Sequence, residues 1–190
     1  MNIEIESITW DQLDEYAKIP ISFEVTSILD VSFLSNGING ISIKEREIAS
    51  SYLKDYDDSE TPDDWAKQWD IKNWGFFVAT NSKSGVIAGI TIALKTQGLN
   101  MLEGRNDLAV IWDIRVKPEY RNKGIGTLLF QQAIDFSQRE KCKTLKIETQ
   151  NININACRFY AKQNCYLGGI HANAYEEFPS DIQFLFYKNI

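Results

Sequence analysis

The feature that most constrains this chain is a near-continuous apolar run, Leu108 to Val116, followed closely by a glycine-marked helix start. Such a run describes a central strand buried on both faces of a sheet. After Pro118 comes Arg121-Asn122-Lys123-Gly124-Ile125-Gly126, then an amphipathic stretch to about Arg139. Ile125, Leu129, Ala133 and Phe136 line one side of that stretch, and Leu128, Phe130 and Ile134 widen the face. Thr144 to Thr149 reads as the next strand. Strand, loop, helix and strand in this order indicate an α/β fold with a mixed sheet.

The remaining segments fit that frame. Ile3 to Ile8 alternates as an edge strand would, and Thr9-Trp10-Asp11-Gln12 offers a helix start. Phe23 to Phe33 predicts a strand, Ser35-Asn36-Gly37 a turn, and Ser51 to Tyr56 carries Tyr52, Leu53 and Tyr56 at helical spacing. Residues 74–80 and 86–95 flank a turn at Asn81–Gly85, which predicts a hairpin. Asn155 to Gln163 predicts a short helix, and residues 165–170 and 182–187 two last strands. At 190 residues, with no repeat or linker, the chain reads as one domain over 1–190.

Composition narrows the function. Acidic residues outnumber basic ones 26 to 20, for a net charge of −6. That argues against nucleic-acid binding, which needs Lys and Arg to neutralise phosphates, and it suits a cationic partner. Three cysteines without C-x-x-C spacing point to a reducing cytoplasm. With one histidine, His171, a multi-histidine zinc site is excluded, and no metal is expected. No stretch reaches membrane-spanning length, and the acidic start lacks the basic region of a secretory signal.

The loop before the helix carries the chemistry. Gly124 and Gly126 let the backbone approach a ligand closely. A helix start offers unpaired N–H groups and a positive dipole end, an anion site suited to a pyrophosphate. Arg121 and Lys123 add charge. A dinucleotide fingerprint would need a third glycine where Leu129 stands, and no Gly-Lys-Ser/Thr is present for a P-loop. Taken alone, the glycines are equally compatible with a softened turn.

Order and spacing go further. Val116-x-Pro118-x-x-Arg121-x-x-Gly124-x-Gly126, helix, strand, then Asn153-x-x-Ala156-x-x-x-Tyr160 resembles the GNAT superfamily of N-acetyltransferases. Asn106-Asp107-Leu108-Ala109, Glu148-Thr149-Gln150-Asn151, Ala156-Cys157-x-Phe159-Tyr160, Gly168-Gly169-Ile170 and Tyr175 are similar to streptothricin acetyltransferases. So are Phe23-Glu24-Val25 and Tyr52-Leu53-Lys54-x-Tyr56. The resemblance implies a mixed, twisted central sheet flanked by helices, with a bulged central strand splayed from its neighbour. It implies an acetyl-CoA-binding core over about 75–187 and acceptor-side elements over about 1–74. Ile114, Arg115 and Val116 would meet the pantetheine arm through their backbone. The amides of Arg121, Asn122, Lys123, Gly124, Ile125, Gly126 and Thr127 would hold the pyrophosphate. The acceptor would be a small cationic amine, streptothricin first, attacked directly; the alternatives are another amine (a polyamine, an aminoglycoside or a protein amine) or a CoA-binding sensor module without turnover. Homodimers are frequent in that superfamily. Two departures stand out: Asn164-Cys165-Tyr166 replaces the usual Cys-Gly-Phe, and Trp112 stands where relatives often carry an acid.

Tyr160 matches the tyrosine that protonates the departing thiolate, and a phenol of pKa ~10 beside a thiol near ~8.5 suits that role. The alternative is a packed aromatic. Asn153 either contacts the pantetheine arm or caps a helix. Asp113 is the first candidate for the base, with Asp107, Glu148 or a water relay as alternatives. Strict alternation puts Asp113 and Trp112 on opposite faces. Asp55 to Asp64 holds six acids in ten residues, either a cation lure or a solvated loop. Trp65, Trp69 and Trp74 are expected in core or lid packing, Cys157 and Cys165 in the core, and His171 away from substrate.

Overall fold

Alternation and turn chemistry place β1 (Glu4–Ile8), β4 (Gly75–Asn81) and β5 (Gly85–Ala93) as antiparallel neighbours. The central strand β6 (Leu108–Val116) pairs antiparallel with β5 and parallel with β7 (Thr144–Gln150). With β8 (Tyr166–His171) and β9 (Gln183–Asn189) they make one mixed sheet, ordered β1-β4-β5-β6-β7-β9-β8. Strands β2 (Phe23–Phe33) and β3 (Ile41–Lys54) form a separate antiparallel ribbon. The described residues also form four α-helices: α1 (Asp14–Ala17), α2 (Pro62–Gln68), α3 (Ile125–Arg139) and α4 (Ile154–Lys162). This computed structural model describes residues 2–190; Met1, where the acidic start begins, lies outside the described residues.

The chain divides into two compact units. The first holds the stretch up to Ile21, Asp55–Ile147 and Tyr187–Ile190; the second holds Ser22–Lys54 and Glu148–Phe186. In the first unit α3 packs on β4, β5 and β6 through Ile125, Leu129, Phe130 and Ala133. Leu128, expected on that face, stands half exposed. The α1–α2 side is filled by Leu13, Tyr16, Trp65, Ile71, Trp74 and Phe76. The fit there is close: a Cβ added at Gly89 on β5 would lie 2.3 Å from the Tyr16 ring.

In the second unit α4 packs against β2. Buried Asn151 ties three segments together. Its backbone and side chain bond Leu29 of β2 and Ile182 just before β9, with Leu29 N donating to Asn151 O (2.9 Å) and Ile182 N to Asn151 Oδ1 (2.8 Å).

Three local expectations are corrected. Residues 51–54 belong to β3, not to a helix, because Tyr52 pairs with Val25 and Lys54 with Phe23; the cross-strand ladder overrides helical spacing. Helix α2 went unread in the acidic segment. Its start is a capping box, with Thr61 N (3.1 Å) and Thr61 Oγ1 (2.7 Å) donating to Asp64 and Pro62 at the first turn. Finally, Trp112 and Asp113 do not face apart. Ile92 pairs with Ile111 and Thr91 with Asp113, so Trp112 is the extra residue of a bulge. Its ring meets Trp74 (5.4 Å), while Asp113 meets Tyr16, both on the α1–α2 side.

Candidate active site

The parallel register of β6 with β7 runs from Leu108↔Thr144 to Ile111↔Ile147 and stops, although β6 continues to Val116. Lys117 N donates to Ile87 O (2.9 Å), and Arg115 lies opposite Gly89. Antiparallel bonding alternates along a strand. The N–H and C=O of Arg115 therefore point toward β5, and those of Ile114 and Val116 toward the opposite edge, past the end of the β7 pairing. Val116 O accepts Arg121 Nε (3.0 Å), which ties the strand end to the loop.

Gly124 opens α3 with φ +83°, a conformation that a side chain would strain. Asn122 is also left-handed, at φ 59°. Arg121 N donates to Pro118 O (3.2 Å) and Thr127 N to Gly124 O (3.1 Å), so both ends of the expected amide set are bonded internally. Among the described residues the amides from Asn122 to Gly126 between them have no backbone acceptor. They form a continuous donor row at a helix N-terminus, the arrangement that takes a phosphate group. Lys123 Nζ donates to Glu119 O (2.6 Å) beside that row.

Asp113 is buried, and its carboxylate is fully engaged. Arg115 donates to it from Nε (2.9 Å) and Nη2 (2.7 Å), and Tyr16 Oη donates to it as well. The same guanidinium reaches Asp57 with Nη1 (3.2 Å) and Nη2 (3.1 Å), and Ile19 O with Nη1 (3.0 Å). Arg115 thus commits all five of its N–H donors. Burial works against its charge, but Asp113 and Asp57 outweigh it and hold Arg115 above its usual value. Burial, then the Asp113 charge, pushes the Tyr16 phenol up. Asp107, an alternative base, lies at the start of β6, roughly 20 Å along the strand from Ile114. There it pairs with Arg105 (2.9 Å).

The acidic segment is more structured than a solvated loop. Asp57 pairs with Arg115, Asp64 caps α2, and Glu60 accepts Trp65 Nε1 (3.1 Å). Asp58 and Asp63 do face solvent. Trp65 and Trp74 are core, while Trp69 and Trp112 are partly buried against it.

In the second unit Tyr160 lies on the buried face of α4 with Ile154 and Cys157, its ring 5.8 Å from that of Phe186. Asn153 caps α4, its Oδ1 accepting Ala156 N (3.1 Å). Glu148 accepts Tyr175 Oη (2.7 Å). Burial pushes the Cys157 thiol up to about 12, which suits a core residue and not a nucleophile. Among the described residues no group of His, Cys, Asp or Glu is arranged to hold a metal ion, and no helix is long and apolar enough to cross a membrane.

Residues 45–164 match the sequence pattern of the Acetyltransferase (GNAT) family. Streptothricin acetyltransferase A of Bacillus subtilis (strain 168) is 29% identical over 154 residues, covering 79% of this chain and 82% of the relative. The crystal structure of a nourseothricin acetyltransferase superposes with a TM-score of 0.78 at 17% identity, over 100% of this chain and 99% of the other. A candidate streptothricin acetyltransferase from Bacillus anthracis str. Ames, solved in complex with acetyl coenzyme A, gives 0.77 at 24% identity with 100% of both chains covered. At these identities the two structures speak for the fold.

Proposed function

Since the chain belongs to the acetyltransferase (GNAT) family, we propose that it transfers the acetyl group of acetyl-CoA to a primary amine of a small cationic molecule, with streptothricin the acceptor of first choice. The observation that carries this reading is the open donor row Asn122–Gly126 on the same strand-loop-helix unit as the outward-facing backbone of Ile114. Likeness over most of its length to a streptothricin acetyltransferase supports the acceptor. The net charge of −6 supports a cationic one.

Acetyl-CoA, when bound, supplies an activated acetyl thioester. The five amides bind its pyrophosphate, with Arg121 and Lys123 adding positive charge. The Ile114 N–H polarises the thioester carbonyl as an oxyanion donor does. The acceptor's ammonium gives up a proton to water, its nitrogen bonds the carbonyl carbon, and as the C–S bond breaks Tyr160 gives its proton to the departing sulfur. Asn153, whose oxygen caps α4, offers its amide nitrogen to the pantetheine arm. Asp113 and Arg115 act as positioning residues: their ion pair fixes the strand segment that carries Ile114.

The test is thiol release from acetyl-CoA with and without streptothricin, plus a mass spectrum of the antibiotic. A single acetyl addition is expected. Release with a polyamine or an aminoglycoside instead would keep the reaction and replace the acceptor. Tyr160→Phe should lower kcat about a hundredfold and leave acetyl-CoA affinity in place; unchanged turnover would remove Tyr160 from the mechanism.

A further inference from the structure

Glu60 lies in the loop before α2, half-buried among indoles. Its carboxylate accepts Trp65 Nε1 (3.1 Å), and the neighbouring Trp112 side chain also favours its charged form. Among the described residues no lysine, arginine or histidine pairs with it. The two buried aspartates differ in this respect: Asp113 has Arg115 and Asp181 has Lys54. Arg115 does not serve Glu60 too, since its five donors are committed. Burial pushes the Glu60 carboxyl up, the Trp65 and Trp112 indoles oppose that, and the charges of Asp64 and Asp113 push the same way as burial. This carboxylate is half-buried without a cation of its own, a cost that an incoming cation would relieve.

The surroundings suit a cation as well. Trp69 and Trp112 lie edge to face with centroids 6.4 Å apart, and indole faces attract ammonium and guanidinium groups. The Trp69 indole N–H is buried and, among the described residues, has no acceptor. Trp112 is the bulge residue two positions before Ile114, so Glu60 is held beside the strand segment to which the transfer chemistry is assigned.

We propose that Glu60 is the specificity-determining residue for the acceptor, holding a cationic group of that molecule, an ammonium or guanidinium, against the indoles of Trp69 and Trp112. This rests on the acetyltransferase reading. The carboxylate supplies the charge-assisted hydrogen bond and the indoles exclude water around it, so the acceptor must carry positive charge to bind.

The experiment is steady-state kinetics of Glu60→Gln, whose amide oxygen still accepts Trp65 Nε1, with streptothricin or whichever panel amine the wild-type enzyme acetylates fastest. The acceptor KM should rise about tenfold or more, the KM for acetyl-CoA should not move, and kcat should fall less than about threefold. Titration of tryptophan fluorescence with the same amine, without acetyl-CoA, should show the matching loss of affinity, and Glu60→Asp should recover part of it. An acceptor KM within about twofold of wild type overturns the proposal. So does a fall in kcat at unchanged KM, which would make Glu60 a proton acceptor, or a parallel loss of acetyl-CoA affinity, which would mean general disruption. A wild-type enzyme that acetylates no amine removes the acetyltransferase reading, and the Glu60 assignment falls with it.

Discussion

The loop Arg121–Gly126 and the cluster around Arg115 both manage charge at the end of β6, and they are built from different materials. The loop is backbone: a row of amides exposed by one left-handed glycine and by the start of a helix. Its parts are neighbours in sequence. The cluster is side chain: Arg115, Asp113, Asp57 and Tyr16 converge from three segments, with Asp57 standing 58 positions from the arginine it pairs. The loop presents unmet donors to a ligand. The cluster meets every guanidinium donor and presents none. An open site and a closed brace can therefore share a strand, and substitutions should separate them.

The largest effect is expected in the brace. Arg115→Met leaves Asp113 and Asp57 without their cation, in and beside the core. Removing one partner of a buried ion pair costs about 3–5 kcal/mol, so the urea midpoint should fall well below that of the wild type. Adding Asp113→Asn should return part of the loss, because the second change removes a charge that the first has stranded. Acetyl-CoA affinity, measured calorimetrically where the variant is folded, should change less than about threefold because the pyrophosphate row is untouched, while kcat falls as the Ile114 segment loses its brace. A large loss of that affinity would mean that the brace and the loop are one device.

The converse substitution is Gly124→Ala. No atom lies within 4 Å of where the new Cβ would stand, so space is not the obstacle; φ at +83° is. A left-handed non-glycine residue costs about 1–2 kcal/mol, and the loop can relieve that strain only by turning its amides. Acetyl-CoA affinity should fall about tenfold, equivalent to 1.4 kcal/mol, with a smaller fall in stability than Arg115→Met produces. Intact affinity with a large loss of stability would reverse the assignment and make the loop scaffold.

This difference in material also explains what could be read in advance. Gly124, Gly126, Arg121 and the apolar face of α3 announce themselves through local spacing, as do the hairpin β4–β5 and the helix carrying Tyr160. The pairing of Arg115 with Asp57 has no local signature, because it exists only once Ile19 and the 55–61 loop pack beside β6. Trp112 and Asp113 obey alternation until the bulge inserts one residue, and nothing in the sequence Ile111-Trp112-Asp113 marks that insertion. Residues 51–54 look helical from Tyr52 and Tyr56, yet β2 supplies a ladder that local propensity does not contain. Helix α2 was legible: Thr61-Pro62-x-Asp64 is a capping box, hidden only by the acidity around it.

The smallest effect probes the acidic segment that follows Asp57. Glu60 and Asp64 stand four positions apart and shift in opposite directions. The Asp64 carboxyl is pulled down to about 2, chiefly by Lys67 and then by Thr61, whereas burial pushes Glu60 up from its ordinary 4.5. A group lowered by folding adds stability above its ordinary value and loses it as pH falls. Asp64→Asn should therefore melt lower than wild type at neutral pH, with the gap closing between pH 3.8 and about 2. A group raised by folding acts the other way: its stability is present below the ordinary value and is lost as pH rises through the folded one. Glu60→Gln should accordingly melt slightly higher than wild type at pH 7, by about 0.5 kcal/mol or less given the half-exposed carboxylate. That gap should vanish below pH 4.5, where both side chains are neutral. A lower melting temperature for Glu60→Gln at pH 7 would make the carboxylate a structural acceptor for Trp65. A higher one, together with weaker binding of a cationic amine, would show stability being given up at this position for recognition, as functional sites commonly do.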